Sequence, residues 1–166
     1  MRKLYTVTTT LGAMSTRQHA DYHLATAHLK QAAQSGSATG YLLAITHFEL
    51  ADQQRREAGD RHALYEAARA YGSLAQHYMH ADDPVQAQHC TDVLMAHCDA
   101  ILASPIPPEL FFNTICYAVI TEAAVRENKT RARALLARGR AAFPDDADVQ
   151  RELENLEAEL LKDKVR

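Results

Sequence analysis

The sequence has no tryptophan, little glycine or proline, and no apolar run long enough to span a membrane. Its 166 residues include six Gly, five Pro and three Cys. Because Gly and Pro interrupt helices, their scarcity beside abundant alanine favours a helical chain. A hydrophobic share of 47% is enough to build a core, which excludes an intrinsically disordered protein. The composition therefore predicts one folded, helical domain.

Strong charge and paired cysteines are also missing. The formal net charge is −3, too small to attract nucleic acid or an anionic membrane over the whole surface. Cys90, Cys98 and Cys116 form no Cys-x-x-Cys pair, and an odd number of cysteines fits free thiols in a reducing compartment. The residues after Arg2 and Lys3 are too polar for a secretory signal. We expect a cytoplasmic protein of bacterial origin, without a membrane segment.

Apolar residues recur every three or four positions along most of the chain, which is the periodicity of amphipathic helices. Turns and breaks divide this pattern into three helical hairpins and a last helix, at about 15–58, 61–103, 109–143 and 146–163. Ser15 is expected to cap the first helix, and Asp83 with Pro84 to begin the fourth. Residues 1–14 show no helical period and are predicted to form a flexible arm before a single domain at 15–166.

Two of the hairpins carry a pattern of small, large and aromatic residues around their turns. In the second hairpin the pattern consists of Leu74, Ala75, Tyr78, Asp82, Asp83 and Ala87, and in the third of Ala132, Leu136, Gly139 and Pro144. This spacing resembles that of tetratricopeptide repeats, although Ile120 and Ala123 depart from it and the first hairpin matches in architecture alone. The resemblance, over about 61–163, implies an all-α fold. Three antiparallel hairpins would stack as a right-handed superhelix closed by a C-terminal capping helix.

The resemblance also implies a binding surface. In tetratricopeptide proteins the first helices of successive hairpins line a concave groove that holds a peptide segment of a partner. The matching positions are Arg69, Gln76, Met79, His80, Thr114, Tyr117, Thr121 and Val125. The family's clamp for a C-terminal carboxylate is absent, because Gly72, Gln76, Thr114 and Ala118 stand at its positions. The implied function is that of an adaptor or chaperone that binds a protein or peptide, without catalysis or a cofactor.

Nine histidines point to an alternative, a metal-dependent helical-bundle enzyme. Helical spacings that suit metal binding occur at His19 and His23, at His77 and His80, and at His89-Cys90 and His97-Cys98. The chain has no His-Glu-x-x-His motif and no pair of Glu-x-x-His motifs, so we expect no metal site and no catalytic residues. Cys98 and Cys116 lie in apolar stripes, where a thiol is expected to be buried and unreactive.

Six basic residues between Arg126 and Arg140 point to a second alternative, a regulatory module that binds nucleic acid or an acidic partner. No aromatic residues are interleaved with them, and the next helix is strongly acidic, so ion pairs between these two helices are the favoured interpretation. That last helix has one apolar stripe, made of Val149, Leu153, Leu156 and Leu160. The stripe is expected to cap the hairpins, and would drive homodimerisation if it were exposed.

Overall fold

A computed structural model describes residues 16–56 and 60–161, with side chains from residue 20 onward. Within these ranges the chain forms seven α-helices and no strand. They are α1 Thr16–Ser35, α2 Ala38–Arg55, α3 His62–His80, α4 Pro84–Leu102, α5 Pro108–Ile120, α6 Lys129–Ala142 and α7 Ala147–Leu160. A π-helical turn, Thr121–Val125, continues α5 without a break.

The predicted all-helical class is confirmed for the part of the chain that the structure describes. The predicted arm at residues 1–14 and the predicted cap at Ser15 lie outside that part. Among the described helices, none combines the length and the apolar character that crossing a bilayer would need.

Short polar side chains begin four of the helices by accepting hydrogen bonds from backbone N–H groups that have no partner within the helix. The glycines at positions 36 and 40 predict a turn and a start of α2 near residue 41, but Ser37 Oγ accepts from Gly40 N at 3.2 Å and α2 starts at Ala38. Asp83 caps α4, as predicted, and Asn128 and Asp146 cap α6 and α7. Each such cap adds about 1 kcal/mol to the stability of its helix, so the residue at the cap determines where the helix begins.

Consecutive helices pack against one another along the chain, and the main core lies among α4, α5, α6 and α7. Ile115 and Leu136 are fully buried there. A smaller core joins α1, α2 and α3 around Phe48, where Ala44 and Ala67 are also fully buried. Alanines at helix contacts allow the helix axes to approach closely, which explains the high alanine content.

The last helix, α7, packs its apolar stripe against α5 and α6. Leu153 is fully buried, and Val149, Leu156 and Leu160 are half-buried against the main core. A Cβ on Gly139 would lie 3.2 Å from Leu153 Cδ1, so the missing side chain makes room for the leucine. The helix therefore covers the C-terminal end of the core, and its stripe does not form an exposed coiled-coil seam.

A buried ion pair joins α2 to the turn before α3. Asp52 Oδ1 lies 2.9 Å from Arg61 Nε, and the two residues are 1% and 7% exposed. Arg61 also donates to Ser104 Oγ at 3.2 Å, so one guanidinium connects this turn to the turn between α4 and α5. Because both charges are desolvated, the pair adds little net stability, but the loss of either partner would leave the other charge buried without compensation.

Candidate functional site

A groove of about 770 Å³ opens between α1, α2, α3, α4 and the segment formed by α5 and its π-helical turn. Protein sites for small ligands and peptide side chains commonly have volumes of roughly 300–1,000 Å³. This central groove is lined by Leu29, Ala33, Tyr41, Arg69, Gly72, Ser73, Ala75, Gln76, Met79, Pro84, Ala87, Gln88, Thr91, Leu94, Tyr117, Ile120, Thr121, Ala124 and Val125.

The central groove is almost uncharged and has an apolar rim. Among its described lining residues, Arg69 alone is charged, and its guanidinium lies 3.2 Å from Glu66 on the same helix. Met79, Ile120 and Val125 are 61%, 41% and 62% exposed. Large apolar side chains that meet in a concavity and remain exposed are typical of a surface that another molecule covers.

Tyr117 forms one wall of the groove and is held in place by its neighbours. Its ring packs edge-to-face on Tyr65, with 6.3 Å between the ring centroids. A Cβ on Gly72 would collide with the Tyr117 hydroxyl group, so the glycine allows this hydroxyl to approach α3. Burial raises the pKa of Tyr117 to about 12. The hydroxyl therefore stays protonated at neutral pH and remains a hydrogen-bond donor beside the groove.

A π-helical turn forms the end of the segment that lines this side of the groove. Arg126 N donates to Thr121 O at 3.0 Å, a bond that spans five residues where an α-helix would span four. Thr121 and Val125 belong to this turn, and both line the groove.

Glu122 holds the same turn from a side that does not line the groove. The residue is fully buried, and its Oε1 lies 3.3 Å from both Arg126 and Arg131. Arg126 also pairs with Asp92 at 3.3 Å, and Arg131 pairs with Asp99. Both aspartates belong to α4, and Arg131 belongs to α6. This network of five charges fastens the π-helical turn to two neighbouring helices.

The structure brings six of the eight predicted groove residues together. Those that line the groove are Arg69, Gln76, Met79, Tyr117, Thr121 and Val125. Thr114 is instead fully buried, and its hydroxyl donates to Leu110 O at 2.7 Å. His80 is exposed at the end of α3, outside the lining.

Sequence reasoning missed the contributions of α1, α2 and α4. The largest of these is that of α4, which lines the groove through Pro84, Ala87, Gln88, Thr91 and Leu94. The family pattern assigns the groove to the first helix of each hairpin, and α4 is a second helix. Here α4 packs against both α3 and α5, and its surface forms the floor between them. Ala87 is the feature of the sequence that indicates this contribution of α4, because a large side chain at that position would fill the groove.

His97, one histidine of the metal hypothesis, and His47, which was not part of it, each contact a carboxylate on a neighbouring helix. Among the described side chains, which do not include that of His19, no group of three or more His, Cys, Asp or Glu residues could hold a metal ion. His97 Nε2 lies 3.0 Å from Glu49 Oε1, which links α4 to α2. His47 Nδ1 lies 3.1 Å from Asp21 Oδ1, which links α2 to α1.

The basic residues between positions 126 and 140 form contacts in two directions. Arg140 pairs with Glu157 of α7, as predicted for neighbouring helices of opposite charge. Arg131, however, pairs with Asp99 of α4, and Arg138 donates to a backbone carbonyl at the end of α4. The expected pairing with α7 is thus incomplete, because one face of α6 packs toward α4.

The cysteine thiols are shielded from solvent. Cys90 and Cys98 are buried and Cys116 is half-buried, which confirms the prediction for Cys98 and in part for Cys116. Burial raises the pKa of Cys98 to about 12 and that of Cys116 to about 11, and it also raises the pKa of Cys90. Since the thiolate is the nucleophilic form, none of these three side chains is prepared for nucleophilic catalysis.

We expect the stability of the protein to fall in alkaline solution. The thiol of Cys98 loses its proton near pH 9 in the unfolded chain but only near pH 12 in the folded chain. The free energy of unfolding is therefore highest below pH 9 and falls as the pH rises toward about 12. Urea unfolding at about pH 8 and about pH 11 should show a lower midpoint at the higher pH. Cys98→Ala should reduce this drop without abolishing it, because burial also raises the pKa of Tyr117. Native thiols that react with iodoacetamide as fast as unfolded ones would contradict the argument.

Comparison of the chain with models of protein families, with curated proteins and with solved structures finds no match. The fold and the central groove define an all-helical protein with one large, nearly uncharged concave surface among its described residues.

Proposed function

We propose that this chain is a protein-interaction module that binds a peptide segment of a partner in the central groove. The observation that carries the proposal is the exposure of Met79, Ile120 and Val125 around an almost uncharged concavity of about 770 Å³. We further propose that the hairpins are degenerate tetratricopeptide repeats, so that the groove corresponds to the peptide site of that family. The protein would then act as an adaptor or a chaperone.

The chemistry of the lining supports binding over catalysis. Among the described residues that line the groove there is no His, Cys, Asp, Glu or Lys. General acid–base and nucleophilic catalysis depend mainly on these side chains, so the groove offers few of the groups that such reactions use. The hydroxyl groups of Ser73, Thr91 and Thr121 donate to backbone carbonyls one turn earlier, so they can offer a ligand only acceptor oxygens. The apolar residues provide most of the contact surface.

The walls of the groove favour one mode of peptide recognition. All of the lining residues belong to helices or to the π-helical turn, whose backbone groups are mostly bonded within the segment. An added β-strand would therefore find no sheet edge to pair with. A helical or kinked peptide with apolar anchors three or four residues apart fits better, because such anchors can insert between Met79, Tyr117 and Val125.

A library of random twelve-residue peptides displayed on phage tests the proposal. Selection on the wild-type protein should enrich peptides that have apolar residues at helical spacing. Introducing Met79→Glu together with Val125→Glu should weaken their binding by about tenfold or more, because each carboxylate would have to be buried beneath an apolar ligand. Both positions are highly exposed in the free protein, so the fold should tolerate the change.

Leu43→Glu is the matched control. Leu43 is an exposed leucine on α2, 44% accessible, and it does not line the groove. Its replacement also adds a carboxylate to an apolar surface but should leave peptide affinity unchanged. Equal losses of affinity in the groove variant and in this control, or a selection that enriches no peptide, would contradict the proposal.

A further inference from the structure

Among its described residues, the lining of the central groove carries one positive charge and no negative charge. Arg69 supplies that charge, and its side chain is 55% exposed. Gln76 is also exposed, and its amide has no hydrogen-bond partner within the part of the chain that the structure describes. The same holds for the hydroxyl of Tyr117, which remains protonated at neutral pH because its pKa is about 12. The groove therefore presents three groups that can donate hydrogen bonds to a ligand.

These three donors lie along one stripe of α3. Arg69 and Gln76 are seven residues apart, which corresponds to about 10 Å along a helix. Gly72 lies between them, and a Cβ there would collide with the Tyr117 hydroxyl, so this hydroxyl lies over the space between the two side chains. Burial is the main reason why the pKa of Tyr117 is raised, and the charge of Arg69 acts in the opposite direction. The guanidinium is therefore close enough to the hydroxyl for one ligand group to meet both.

The remaining polar side chains of the groove favour the same kind of ligand group. The hydroxyl groups of the lining donate to backbone carbonyls of their own segments, and Gln88 donates to Asp92 at 3.0 Å. No carboxylate lines the groove among its described residues, so a cationic group of a ligand would find no counter-ion there. A carboxylate fits best, because hydrogen bonds from an arginine to a carboxylate are charge-assisted.

Glu66 is the group with which a ligand carboxylate would share Arg69. Its carboxylate lies 3.2 Å from the guanidinium, one turn earlier on α3, and it does not line the groove. Ion pairs of this spacing on an exposed helix surface are weak. A guanidinium has several N–H donors, so Arg69 can keep this contact and still bind a second carboxylate. The contact with Glu66 therefore does not close the site.

We propose that the peptide bound in the central groove carries an aspartate or glutamate whose carboxylate accepts hydrogen bonds from Arg69 and Tyr117. This inference rests on the proposed function, because it names a chemical feature of the bound peptide. Met79 lies ten residues after Arg69 in α3, which is about 15 Å along the helix axis. The acidic residue therefore lies toward one end of the bound segment, and the residue that covers Met79 lies toward the other. Apolar anchors supply most of the affinity, and the single charge makes the groove reject a basic residue at that place.

The sequences of the peptides selected from the phage library give the first test. They should share an Asp or Glu at a fixed distance from their apolar anchors, without Lys or Arg at that position. Selection on the Arg69→Glu variant should instead enrich Lys or Arg there. Selected peptides that have apolar anchors but share no acidic residue would overturn the inference and leave the proposed function intact. A selection that enriches no peptide would overturn both.

Fluorescence anisotropy with one selected peptide and its amide counterpart tests the contact itself. Replacing the shared acidic residue by Asn or Gln should weaken binding to the wild-type protein by about tenfold. Arg69→Gln should weaken binding of the acidic peptide by a similar factor but leave the affinity of the amide peptide unchanged, because both changes remove the same contact. Tyr117→Phe keeps the ring that packs on Tyr65 and should weaken binding of the acidic peptide by roughly threefold to fivefold.

Two further variants control for charge. Arg133→Gln removes an exposed arginine of α6 that does not line the groove, and it should bind both peptides like the wild type. Glu66→Gln removes the partner of Arg69 within the chain and should strengthen binding of the acidic peptide by about twofold to threefold. Equal effects of Arg69→Gln and Arg133→Gln on the acidic peptide would overturn the inference, because the attraction would then be long-range.

Two other results would also overturn it. If Arg69→Gln weakened binding of the acidic and amide peptides alike, the arginine would support the shape of the groove without contacting a carboxylate. If amidation of the peptide's C-terminus abolished binding while replacement of its acidic side chain did not, the groove would bind the end of a chain. In both cases the peptide would still bind, so the proposed function would stand.

Discussion

Glu122→Ala is expected to lower the free energy of unfolding by about 3 kcal/mol, because it removes a buried charge that two arginines share. Glu122 is fully buried, and its Oε1 lies 3.3 Å from Arg126 and from Arg131. Its loss would leave a cavity and two partly buried guanidinium groups. Each arginine keeps an aspartate partner on α4, so the expected cost lies at the lower end of the range for broken buried pairs.

The same substitution should change the groove. Glu122 lies within the π-helical turn, and Thr121 and Val125 of that turn line the groove. Without the carboxylate, the turn loses its ion pair with Arg131 of α6, and the positions of Thr121 and Val125 should be less firmly held. We therefore expect peptide affinity to fall even at temperatures where the variant remains folded. Urea unfolding measures the stability, and the selected phage peptide measures the groove.

A pair of amide substitutions controls for charge alone. Glu122→Gln keeps the shape and one acceptor, and should destabilise the protein by roughly half as much as the alanine variant. Glu127→Gln removes a charge from an exposed position five residues later and should change the stability by less than about 0.5 kcal/mol. If Glu122→Gln and Glu127→Gln behave alike, the buried network does not hold the π-helical turn.

Leu153→Ala is the second substitution with a large expected effect, about 2–5 kcal/mol of destabilisation. Leu153 is fully buried in the main core, where it lies over Gly139 and beside Ile115. The backbone of Gly139 cannot move in to fill the space, so a cavity should remain and α7 should separate from α6 more readily. Thermal unfolding measures the loss of stability, and limited proteolysis of α7 detects the separation.

Glu154→Ala is the neighbouring control for α7. Glu154 is exposed on the same helix, and its replacement should leave the unfolding temperature within a degree or two of the wild type. If Leu153→Ala were as mild as this control, the stripe of α7 would not be packed on the core in solution. A change of oligomeric state in that variant would point to the coiled-coil interpretation.

The helix boundaries could be predicted because the signals that set them are local. Asp83 accepts a hydrogen bond from a backbone N–H at the start of α4, and Pro84 follows at a position where its missing N–H costs nothing. Such signals act within one turn of helix and require no knowledge of the rest of the chain. The start of α2 differs from the expectation because Gly40 favours a turn, whereas Ser37 caps the helix three residues earlier.

The groove could be predicted in part, because six of the eight positions expected from the resemblance to tetratricopeptide repeats line it. The burial of Thr114 could not, because its helix face depends on how α5 packs against α4 and α6. The π-helical turn could not be predicted from the sequence either. Its sequence reads as an ordinary helix, and the turn is stabilised by contacts between Glu122 and arginines that include one from another helix.

The sequence by itself determined that the described chain is helical, where most helices begin and end, and which of them are amphipathic, because these properties depend on neighbours within four residues. Only the tertiary structure decided which polar groups are buried, which helices line the groove and how the π-helical turn presents Val125 to it. The physical reason is that burial of Glu122, Thr114 and Asp52 depends on surfaces from distant parts of the chain, and no local pattern specifies how those surfaces meet.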